Sequence, residues 1–146
     1  MFRVLQIDHV ELFVPDQYEA ARWYDRVLGL QVVPSAEHWA ADGGPLMISS
    51  DGGSTMLALF KGQPVPSPQT AAFRRVAFRV TGAGFIEFLR RLSDVEIADL
   101  HNQRLTSRSV VDHQQAYSIY FVDPYGHLLE VTTYDYGEVS SALATV

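Results

Sequence analysis

The chain contains no cysteine. Disulfides, thiolate zinc centres and a cysteine nucleophile are thereby excluded, and any metal must be held by His, Asp, Glu or backbone oxygen. Positive charge is also scarce: 11 Lys and Arg face 17 Asp and Glu, for a net charge of -6. The only clustered cations, Arg74-Arg75 and Arg90-Arg91, do not make the basic patch that phosphate recognition needs, so nucleic acid is not an expected partner. No apolar run approaches the ~20 residues that span a bilayer. The opening stretch 1–6 meets Asp8 too soon to be the apolar region of a signal peptide. A cytoplasmic chain without a membrane partner is the expectation. Nucleophile motifs around Ser or Thr are missing, and Gly82 and Gly84 are too sparse for a phosphate loop.

What is present is a globular composition, 47% hydrophobic and 19% charged over 146 residues. That suffices for one compact domain or two small halves sharing a core. Residues 4–14 alternate with period two: Val10, Leu12 and Val14 on one face, His9, Glu11 and Phe13 on the other. Pro15-Asp16 opens a helix with Asp16 as N-cap, and Gly29 closes it. Short strands are expected over 30–33, 45–50 and 55–61, the last two joined by the turn Asp51-Gly52-Gly53. Pro64, Pro66 and Pro68 mark a linker over 62–72. The order then restarts: a strand over 73–81, a helix over 84–92, and strands over 105–112, 116–123 and 127–134. A tail over 135–146 shows no pattern read as structure.

Strand, helix, three strands therefore occurs twice, and a shift of 66 residues lays Ile7-Asp8-His9-Val10 on Phe73-Arg74-Arg75-Val76. The expected fold is α+β: two paired βαβββ modules, 4–61 and 73–134, whose mixed sheet curves around a cleft within one domain. Alternation places His9, Glu11, Phe13, Met56, Ala58 and Phe60 of the first module away from its helix. In the second module the same rule selects Arg75, Ala77, Arg79, Ser118, Tyr120, Leu128, Glu130, Thr132 and Tyr134. Apolar and polar groups mixed on such a surface suit a ligand cleft. They equally suit a dimer interface, and a homodimer is expected.

At these residues the chain resembles the vicinal-oxygen-chelate superfamily, which includes glyoxalase I, bleomycin- and fosfomycin-resistance proteins, and type I extradiol dioxygenases. The resemblance rests on Ile7-Asp8-His9-Val10-Glu11-Leu12, on Ala21-Arg22-Trp23-Tyr24 through Val27-Leu28-Gly29-Leu30, and on 120–130. His113, Tyr120, the turn Asp123-Pro124-Tyr125-Gly126 and Glu130 resemble the ring-cleavage dioxygenase signature. The resemblance implies Glu130 as a metal ligand, His113 as acid/base and Tyr120 as a hydrogen-bonding partner, both of them catalytic. It implies ligand positions at His9, Ala58, Arg75 and Glu130, and a divalent metal: iron, manganese, zinc or nickel.

Ala58 has no donor atom, and Arg75 stands where a second histidine belongs; its guanidinium stays protonated and has no lone pair to give. Two outcomes follow. Arg75 fills the vacant metal seat and pairs with Glu130, leaving a metal-free cleft that binds an oxygen-rich or anionic molecule. Alternatively Arg75 swings away, and His9, Glu130 and a loop histidine (His101 or His113) hold a metal. Arg75, Glu11, Phe13, Met56, Phe60 and Tyr134 are the expected ligand contacts. The functional expectations are correspondingly two: a dioxygenase-like or glyoxalase-like metalloenzyme (a lyase in the second case), or a sequestering protein of the bleomycin-resistance type.

Overall fold

Helix α1 (Gln17–Leu28) forms where its ends are chemically closed. Asp16, extended at φ -134°, accepts the Glu19 N–H at 2.9 Å. Such a cap contributes about 1 kcal/mol. Gly29 ends the helix at φ 70°, a left-handed conformation that costs glycine nothing because it has no Cβ. The computed structural model describes residues 1, 5–63 and 75–145, and the chain divides into two compact units, Met1–Pro66 and Ser67–Val146.

In the first unit, β1 (His9–Val14) pairs in parallel with β4 (Met56–Lys61); β3 (Leu46–Ser49) and then β2 (Gln31–Val32) follow antiparallel, giving the order β1-β4-β3-β2. Helix α1 packs on β3 and β4. Leu12, Val14, Leu46, Ile48, Leu57 and Leu59 are buried, as are Ala20, Trp23, Tyr24 and Val27 of the helix. The opposite face carries His9, Glu11 and Phe13 beside Met56, Ala58 and Phe60, each opposite its partner in the β1–β4 register. Part of that face is not open. A 3-10 helix (Pro34–Ala36) lays Ala36 and Val33 over Met47 and Ala58, leaving them 3% and 1% exposed.

The second unit repeats the plan. Strand β5 (Val76–Arg79) runs parallel to β8 (Leu128–Thr133), which is antiparallel to β7 (Tyr117–Val122), itself antiparallel to β6 (Val111–Asp112). The order β5-β8-β7-β6 is the first sheet's order again. Helix α3 (Gly82–Arg91) starts on Thr81, whose hydroxyl accepts the Gly84 N–H at 3.1 Å, two residues earlier than the sequence predicts. Its Phe85 and Phe88 are buried, with Phe88 5.7 Å from the Phe121 ring centre, above buried Ile119, Leu129 and Val131. Between β2 and β3 in chain order, a short α2 (His38–Ala41) adds a further turn to the first unit. Among the described residues the architecture is α+β, two four-stranded mixed sheets with four α-helices, neither sheet closed. No helix among the described residues is long and apolar enough to cross a membrane.

Two further expectations change. The strand over 105–112 shrinks to Val111–Asp112, because Thr106 and Ser109 cap each other's backbone N–H groups and wind 107–109 into a 3-10 helix. The tail is helical: α4 (Tyr136–Leu143) docks beside α3 with Val139 fully buried. Asp135 accepts the Gly82 N–H at 2.7 Å, and the Tyr136 ring stacks on Tyr117 at 4.7 Å. The linker expected over 62–72 falls, from residue 64 onward, outside the described residues, as do Phe73 and Arg74.

Candidate functional site

In the first unit the site-facing histidine is held by its own neighbours. His9 Nδ1 lies 2.7 Å from Asp8 Oδ2, and Nε2 lies 3.5 Å from Glu11 Oε1. The Asp8 hydrogen bond, aided by Glu11 and opposed by partial burial, raises the His9 pKa above its ordinary 6.5. A ring protonated at both nitrogens has no lone pair for a metal. Next along β1, Phe13 is 51% exposed and leans on Phe60, ring centres 6.2 Å apart. Met56 and Phe60 are half-buried against the Ala36, Met47 and Ala58 cluster. The face is thus ionic at one end and apolar at the other.

The second unit gathers more chemistry. Strand register sets Ala77, Glu130 and Tyr120 side by side across β5, β8 and β7, with Arg79, Thr132 and Ser118 in the next row. The β6–β7 hairpin turns through His113, whose backbone N–H donates to Ala116 O at 2.9 Å, and Gln114 takes φ 66° there. That turn brings His113 Nε2 to 2.9 Å from the Tyr120 hydroxyl. The Arg75 guanidinium reaches across β8 to lie 4.5 Å above the Tyr120 ring. Its Nε is buried with no hydrogen-bond partner. Glu130 Oε1 accepts from the buried Ser118 hydroxyl at 2.8 Å, and Ser118 Oγ is also 3.0 Å from Thr132 Oγ1. Among the described residues Glu130 forms no ion pair with Arg75; the arginine goes to the aromatic ring instead.

Arg79 repeats the device, its guanidinium 5.2 Å above the ring of Tyr134, which is 60% exposed. The turn after β7 is held by a structural histidine: Asp123 accepts the Tyr125 and His127 N–H groups at 2.9 and 2.8 Å, and His127 Nδ1 lies 2.5 Å from Asp123 Oδ2. His127 is therefore committed to the hairpin. Two partners escaped the sequence reading: Asp8, which alternation over 4–14 sets on the face opposite His9 but which in the structure lies just before β1, and Ser118, placed on the right face but not recognised as the Glu130 partner. The β7–β8 register, two residues apart on facing strands, was the available signal for Ser118.

A model of the Glyoxalase/Bleomycin resistance protein/Dioxygenase superfamily matches residues 6–131. The chain belongs to that superfamily. Solved structures with the superfamily fold include the oxidase ChaP-H2 (24% identity, 90% of this chain and 94% of that one, TM-score 0.63). The fosfomycin resistance protein FosX from Mesorhizobium loti is similar at 16% identity, with 90% and 93% of the two chains covered and a TM-score of 0.59. Lactoylglutathione lyase from Agrobacterium tumefaciens is similar at 21% identity, with 91% and 96% covered and a TM-score of 0.54. At such identities the likeness is one of fold. No curated protein sequence matches.

The resemblance to the metal-binding members of the superfamily implies a metal, and the donor set can be tested against it. Of the four ligand positions that resemblance assigns, Ala58 has no donor and Arg75 has no lone pair. His9 has both ring nitrogens turned to carboxylates, and Glu130 has one oxygen on Ser118. Among the described residues no three His, Asp or Glu side chains are gathered so as to hold an ion. The residues present do not fit a superfamily metal centre as arranged.

Proposed function

We propose that this protein binds a small oxygen-rich or anionic molecule on the open face of its second sheet, with Arg75 in the place a metal ligand would take. The observation that carries this reading is the Arg75 guanidinium, stacked on Tyr120 with a buried, unpartnered Nε. A buried N–H without an acceptor is costly, and a ligand oxygen would relieve it. Stacking on a ring leaves the positive charge unneutralised and the remaining N–H groups in the ring plane available. The hydrogen-bonded His113 and Tyr120 pair stands beside it, so a ligand hydroxyl on Arg75 would lie near a group able to take its proton.

Catechol, a compact molecule with two adjacent oxygens, is the probe. Calorimetric titration is expected to show binding that Arg75→Ala weakens by about tenfold or more, the effect of one charge-assisted hydrogen bond. The thermal midpoint of the variant should stay close to that of the parent. Unchanged affinity in Arg75→Ala would remove the arginine from the site. The second reading is an extradiol-dioxygenase-like metalloenzyme, favoured by Tyr120 facing Glu130 in the β7–β8 register with His113 on the Tyr120 hydroxyl. Protein purified with iron and manganese supplied under anaerobic conditions discriminates: stoichiometric bound metal favours the enzyme, and metal-free protein that still binds catechol favours the binder.

A further inference from the structure

Resting on the Arg75 reading, we infer that Arg79 and Tyr134 form a second anion-holding position on the same face, so that the ligand carries an acidic group as well as an oxygen-rich one. Arg75 and Arg79 lie two alternations apart along one strand line, about 13 Å between Cα atoms at the usual rise per residue. Their side chains diverge. Arg75 crosses β8 to Tyr120, whereas Arg79, opposite Thr132, goes to Tyr134 just beyond the end of β8.

Between them stands only Ala77, small and exposed, with Glu130 opposite it on β8. The strand thus places two cations either side of a gap whose floor is hydrogen-bonding: the Ser118 and Thr132 hydroxyls and the Glu130 carboxylate.

Charge distinguishes this pair from ordinary surface arginines. The chain is acidic overall, with 17 Asp and Glu against 11 Lys and Arg. Yet among the described residues neither Arg75 nor Arg79 has a carboxylate partner, while Arg90 on α3 pairs with Glu87 at 3.8 Å. Glu130, the carboxylate opposite Ala77, accepts the Ser118 hydroxyl on one oxygen and pairs with neither arginine among the described residues. An aromatic ring orients a guanidinium without cancelling its charge, so both cations remain able to hold an anion. A neutral diol would use only one of them.

The test compares dihydrocaffeate, a catechol with a carboxylate on a two-carbon arm, with its amide, which has the same shape and no charge. Calorimetry on the intact protein should show the acid preferred by about tenfold, one charge-assisted contact. Arg79→Gln should abolish that preference, and Tyr134→Ala should reduce it. A preference that survives Arg79→Gln overturns the second position. So does equal binding of acid and amide when both are weakened by Arg75→Gln, and in that case the Arg75 reading stands. If Arg75→Gln leaves both affinities unchanged, or neither compound binds, the Arg75 reading fails and this position falls with it.

Discussion

His9 shows how a side chain in the position of a metal ligand can be diverted by a neighbour one residue away. Alternation over 4–14 sets Asp8 on the opposite face from His9, but β1 begins only at His9, and the Asp8 carboxylate takes Nδ1 and raises the imidazole pKa above 6.5. A histidine with a raised folded-state pKa adds stability that is fully present below the unfolded pKa and is lost as pH rises through the folded value. Proton NMR titration should therefore place His9 above 6.5, and Asp8→Asn should bring it down towards that value. A His9 pKa unmoved by Asp8→Asn would show that the pair is not formed in solution. His113 and Tyr120 were easier to foresee. Seven positions apart, they meet because a hairpin between β6 and β7 folds one strand back beside the other. Arg75 breaks the metal pattern, but its partner differs from the one expected: the guanidinium lies over the Tyr120 ring, while Glu130 accepts the Ser118 hydroxyl on one oxygen.

At the scale of elements, what could be read was what is decided locally. Helix α1 begins and ends on Asp16 and Gly29, both contained in its own flanks. The 3-10 helix after Thr106 is equally local, but its signal is a reciprocal pair of hydroxyl caps inside a run that otherwise alternates like a strand. Helix α4 was missed although Val139 and Leu143 stand four apart, since a short mixed segment has too little apolar surface to be stable alone. It forms by docking: Val139 enters the core, Asp135 receives the Gly82 N–H, and the Tyr117 and Ser140 hydroxyls meet at 2.9 Å. Val139→Ala should accordingly cost about 1–3 kcal/mol in urea unfolding, the value of a buried valine side chain. A loss below a few tenths would mean that the helix does not dock in solution. The consequence reaches the candidate site, because Tyr136 of α4 donates to Asp112 at 2.9 Å, next to His113.

At the scale of the whole molecule, duplication explains both what the chain retains and what it has altered. The two sheets share one strand order and one register, in which Glu11 faces Ala58 and Ala77 faces Glu130. The carboxylate has changed strands between the copies, and the equivalents His9 and Arg75 have changed charge chemistry. A sheet framework built from buried Leu, Ile and Val tolerates such exchanges, because its outward positions contribute little to the core. The exchange at 75 is the consequential one: imidazole offers a lone pair, guanidinium does not. Arg75→His should therefore raise the iron or manganese retained by the purified protein, measured by elemental analysis after anaerobic loading and gel filtration. The gain should depend on Glu130, so that Arg75→His with Glu130→Gln returns metal to the parent level. Metal retained equally by parent and variant would mean that position 75 has no part in metal exclusion, and the replacement of a ligand by a cation would lose its functional meaning.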